Sequence, residues 1–97
     1  MNKKKAAILI RDPDGIDTKL PLVERMHPCG YRFELFFIGF DPRRLSENDL
    51  ARLTRLQEQG IVLFTDTPEE GLHRGFKRVD HHTIAEHLQD ADVVIPL

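Results

Sequence analysis

Residues 6–10, Ala-Ala-Ile-Leu-Ile, form an unbroken apolar run, and residues 61–64, Ile-Val-Leu-Phe, form a second. A strand with one wet face alternates apolar and polar side chains, whereas a strand covered by helices on both faces reads as continuous hydrophobicity. Both runs therefore ask for a covering layer above and below.

The segments between the runs supply those layers. Arg11-Asp12-Pro13-Asp14-Gly15 is a turn, because proline presets φ and glycine tolerates positive φ. Residues 18–27 follow as a short helix, with Pro21 tolerable only in its first turn and Pro28 forbidding continuation. Residues 31–40 carry Phe33, Leu35, Phe36, Phe37 and Ile38, bulk that a pleated surface accepts, and read as the second strand. Ser46 is placed to cap the N–H of Asp49, with Leu45 and Leu50 as a hydrophobic staple. Leu50, Leu53 and Leu56 make one helix face, and Gly60 supplies a left-handed stop. Residues 61–65 are a buried strand, 68–75 a brief helical turn, 79–89 a helix with Ile84 and Leu88 inward, and 93–95 the last strand.

Strands separated by helical connections predict parallel pairing through right-handed crossovers. The expected fold is α/β: a three-layer sandwich around a mostly parallel sheet of four to five strands, flavodoxin-like in layout. A chain of 97 residues fits one domain spanning 1–97, with a modest core that gains burial by pairing with another subunit.

Composition narrows the function classes. The 14 basic and 16 acidic side chains leave a net charge of −2, and the basic residues are scattered, so no nucleic-acid partner is expected. The lone Cys29 cannot close an intramolecular disulfide, and the lysine-rich start leads into only five apolar residues, too few for a signal peptide or a membrane span. A reducing cytoplasm and no membrane partner are the expectation.

Ligands of open α/β sheets sit beyond the carboxyl ends of the strands. Those ends hold Asp12 and Asp14, then Asp41, Arg43 and Arg44, then Asp66 and Thr67, which are the candidate binding residues. The same residue types also cap helices and shape turns. Asp80-His81-His82 with Glu86 and His87 is the densest histidine cluster, and His82 and Glu86 share a helix face. Two donors do not close a zinc site, so Asp80 is expected to cap a helix, with the histidines partly exposed and no metal bound.

The order of Gly60-Ile61-Val62-Leu63-Phe64-Thr65, Gly71-Leu72-His73-Arg74-Gly75 and Ala91-Asp92-Val93-Val94-Ile95 resembles the DsrE/DsrF/DsrH superfamily of sulfur-relay proteins. The resemblance implies a DsrE-like sandwich that assembles as a homo-oligomer or with related α/β subunits, and it adds Arg74 to the candidate binding residues. Some members pass persulfide sulfur on a cysteine just ahead of the Arg-Gly pair. Here the matching place is close to Thr67, and a hydroxyl lacks both the accessible pKa and the soft sulfur that relay needs. Members without the cysteine resemble structural or regulatory subunits.

The expectation is thus a DsrE/DsrF-like binding or scaffold subunit without a cofactor, its standing as an enzyme left open. Two alternatives stand beside it. Cys29, in His27-Pro28-Cys29-Gly30, is the one thiol available as a catalytic persulfide carrier. Asp12 and Asp14 are similar to the first motif of haloacid-dehalogenase-type phosphatases, a resemblance that implies nucleophile and general acid around Mg²⁺, with Thr65 holding a phosphate oxygen. Ile16 stands where that family usually has threonine.

Overall fold

A computed structural model describes residues 4–26, 30–67 and 75–97. The elements in chain order are β1 (Lys5–Ile10), α1 (Ile16–Met26), β2 (Arg32–Phe37), α2 (Glu47–Glu58), β3 (Val62–Thr65), β4 (Phe76–Arg78), α3 (His81–Asp90) and β5 (Val93–Pro96), with a 3₁₀ turn at Pro42–Arg44 ahead of α2.

The five strands form one sheet in the order β4-β3-β2-β1-β5, and every neighbouring pair is parallel. The chain steps outward from β1 to β4, and α3 then carries it back to the far side of β1. The two directions of travel place the helices on opposite faces, as right-handed crossovers require. Ile8, Ile10, Leu35, Phe37 and Leu63 pack with Leu20 and Val23 of α1 and Leu53 and Leu56 of α2. Ala7, Leu9, Phe36 and Phe64 turn the other way and meet Ile84 of α3. This is the α/β three-layer arrangement expected from the unbroken apolar runs, and Ala6 to Ile10 are all buried.

Local signals act as the sequence indicates in α2. Ser46 Oγ accepts the N–H of Asp49 at 3.2 Å, Leu45 is buried, and Gly60 follows the helix with φ +97°, a conformation that costs glycine nothing. The α3 face is held by aromatic contact. Phe36 and Phe64, paired across β2 and β3, stack with centroids 4.9 Å apart, and the His87 ring lies 4.8 Å from Phe64. Beneath α3, Glu34 Oε2 approaches His87 Nδ1 at 3.5 Å, while Glu34 Oε1 is buried without a hydrogen-bond partner among the described residues.

Three expectations are corrected. Residues 76–78, to which the sequence assigns no element, form a strand: Val79 N–H donates to Thr65 O at 2.9 Å, which draws the segment onto the sheet edge, so α3 begins at His81 rather than at residue 79. The first helix starts at Ile16, because Gly15 O already accepts from the N–H groups of Thr18 and Lys19. Pro21 then falls in the second turn, where its missing N–H leaves one intrahelical bond unmade. The second strand ends at Phe37, and Gly39, at φ +81°, turns the chain out of the sheet. The expected helical turn at 68–75 lies, up to residue 74, outside the described residues.

Candidate functional site

The carboxyl ends of the strands collect the polar residues named above, and hydrogen bonding sorts them into two groups. In the loop after β1, Asp12 Oδ1 accepts the N–H of Asp14 at 2.9 Å, closing an Asx turn, and the Asp12 carbonyl accepts from Lys19 Nζ at 3.3 Å. Asp14 faces a cleft of about 450 Å³ between the N-termini of α1 and α2, lined also by Asp17, Asn48, Asp49 and Arg52. One carboxylate thus serves the turn while the other lines the cleft.

The second group joins β2, β3 and α3. Gly39 N–H reaches both oxygens of the Asp66 carboxylate, at 3.2 and 3.3 Å, and His81 Nε2 lies 3.2 Å from Asp66 Oδ2. Asp66 therefore ties the exit of β2 to the first residue of α3. Its side chain is 17% exposed, against 81% for His81, so a sheltered carboxylate orients an exposed imidazole. Thr67 is buried beside this link. Thr67 N–H donates to Thr65 Oγ1, the Thr65 hydroxyl donates to Thr67 Oγ1 at 3.0 Å, and the Thr67 hydroxyl donates to Phe40 O at 3.2 Å. Each hydroxyl is used inside the fold.

Asp41 opens the 3₁₀ turn, its carbonyl accepting from Arg44 N–H at 3.0 Å. Arg43 belongs to the same turn, with only its backbone described. Cys29 and Arg74 lie outside the described residues. Among the described residues no hydrogen bond links Asp12 or Asp14 to Asp66, and no group of three or more His, Cys, Asp or Glu side chains is arranged to hold a metal ion.

Asp80 caps α3, its Oδ1 accepting Thr83 N–H at 2.7 Å. That backbone hydrogen bond, followed by the Thr83 hydroxyl and then His82 and Arg78, holds the Asp80 carboxyl below the usual carboxylate range. His82 Nε2 and Glu86 Oε1 pair at 3.0 Å on the exposed face, as their i,i+4 spacing indicates.

Sequence reasoning did not bring Arg11 and His81 together. Arg11 and His81 border a groove of about 250 Å³ whose apolar walls are Leu9, Ile38, Ile84 and Leu88. The i,i+2 spacing of Leu9 and Arg11 put both on one face of β1, a usable signal. Nothing in the sequence indicates that α3 lies over that face, since this follows from the strand order.

Among the described residues no helix is long and apolar enough to cross a membrane. No family model matches the chain, and no curated protein matches it.

Proposed function

We propose that this chain is a DsrE/DsrF-like binding or scaffold subunit that works through contacts with copies of itself or with related α/β subunits, without relaying sulfur. The reading rests on Thr67, near the place where the resemblance puts the relay cysteine. The residue is 9% exposed and its hydroxyl is committed to Thr65 and Phe40, so it braces the β2 and β3 exits instead of presenting a nucleophile. Asp12 has a comparable structural task in its turn, which weighs against a phosphotransferase reading at Asp12 and Asp14.

Light scattering at micromolar concentration and intact-mass measurement after exposure to a persulfide donor test the proposal together. The expected result is an assembly larger than one chain and no stable gain of one sulfur atom. A monomer at every concentration removes the self-assembly part of the scaffold reading. A sulfur adduct on the wild type that vanishes in Cys29→Ser replaces it with an active carrier.

A further inference from the structure

We propose that the groove between α3 and the carboxyl ends of β1 and β2 binds a small organic carboxylate with a branched or aromatic apolar body. The groove is built from three elements. Leu9 and Arg11 come from β1 and its exit, Ile38 from the exit of β2, and His81, Ile84 and Leu88 from one face of α3. It lies toward the carboxyl ends of β1 and β2, the end of the sheet at which open α/β folds take ligands. Its volume of about 250 Å³ suits a small molecule of roughly a dozen heavy atoms or fewer.

The chemistry of the walls selects the ligand. Four aliphatic side chains line the groove together with one exposed arginine, Arg11. Among the described residues Arg11 has no ion-pair partner, so its planar fork of donors is available to take a carboxylate by two parallel hydrogen bonds. His81, held to Asp66 through Nε2 at 3.2 Å, also lines the groove. Asp66 and Asp80 place two carboxylates around the start of α3. They repel a dianion more than a monoanion, so phosphate is disfavoured against a singly charged acid whose remaining surface is apolar. The proposal stands apart from the scaffold reading, and a monomeric protein would leave it intact.

The test is a ¹⁵N–¹H correlation titration of the full chain with isovalerate, with benzoate and, separately, with inorganic phosphate. Saturable shifts at the amides of Arg11, Ile38, His81 and Ile84 with either organic acid are expected. Arg11 is exposed, so Arg11→Ala keeps the fold, which its own spectrum checks. That variant should weaken binding roughly tenfold or more, the loss of a charge-assisted pair, with Arg11→Lys intermediate. Absence of saturable shifts at those amides, equal affinity in Arg11→Ala, or shifts from phosphate as large as those from the organic acids would each overturn it.

Discussion

Asp66 and Asp80 show how one residue type does two different jobs within a few ångströms of the same helix start. Asp66 accepts from Gly39 and holds His81, joining loops that are far apart in sequence, while Asp80 accepts from Thr83 within its own turn. The second job was legible in the sequence, because an N-cap is a local pattern: Asp80 stands three residues before the N–H it satisfies. The first was not, since nothing local says which histidine a carboxylate at the end of β3 will meet. The Asp80 cap also has a pH signature. Its folded pKa is depressed, mainly by the Thr83 backbone hydrogen bond, below an unfolded value of about 3.9. A depressed carboxylate contributes stability that is fully present above the unfolded pKa and is lost as pH falls through the folded one. Urea midpoints followed from about pH 6 down to about pH 2 should therefore fall more steeply below about pH 4 in the wild type than in Asp80→Asn, which keeps an acceptor oxygen without the titrating charge. Parallel acid limbs in the two proteins would show that the cap carries no linked proton.

Elements differ in how openly they announce themselves. Helix α2 carries its start, its stop and its buried face in consecutive residues, so the tasks of Ser46, Leu53, Leu56 and Gly60 can each be read from the residue order alone. Strand β4 carries none of these. It is three residues long, two of them exposed and charged, and it exists because the carbonyls of β3 await donors such as Val79 N–H. A segment recruited by a neighbour's unmet hydrogen bonds has no periodicity of its own to read. The contrast predicts where single substitutions act. Ser46→Ala removes the oxygen that accepts Asp49 N–H at 3.2 Å and should cost about 1 kcal/mol. In urea denaturation this would be a lower midpoint with an unchanged slope, because the surface exposed on unfolding is the same. A changed slope would mean instead that the loss of the cap unravels α2 in the native state.

For the whole molecule, strand order decides what is protected and what is available. The unbroken apolar runs indicated two covered faces, and the helices on them make the sheet the middle of three layers. They did not indicate that β1 would be interior and β5 an edge. Val93 and Val94 are exposed valines on that edge, and their composition alone would have passed for core. At the start of the strand, Lys5 N–H donates to Asp92 Oδ2 and Asp92 N–H to Lys5 O, clasping β5 to β1. At its end Leu97 N–H donates to Leu9 O at 2.9 Å. Because backbone direction alternates along a strand, Val93 and Ile95 then face β1 with Leu97, while Val94 and Pro96 face outward. Proline has no N–H to offer, so its outward place blunts the edge and leaves Val94 as the outward strand donor. Hydrogen exchange should consequently be slowest at Ile8 and Leu9 of the doubly paired β1, intermediate at Val93 and Ile95, and near the unprotected rate at Val94. Protection at Val94 that grows with protein concentration would identify β5 as the edge on which a second chain pairs, giving the proposed assembly its contact strand. Protection at Val94 that is independent of concentration would contradict the register itself. Fast exchange at Val94 even in a light-scattering oligomer would place the subunit contact on the helical faces, where Leu22 of α1 is an exposed apolar side chain.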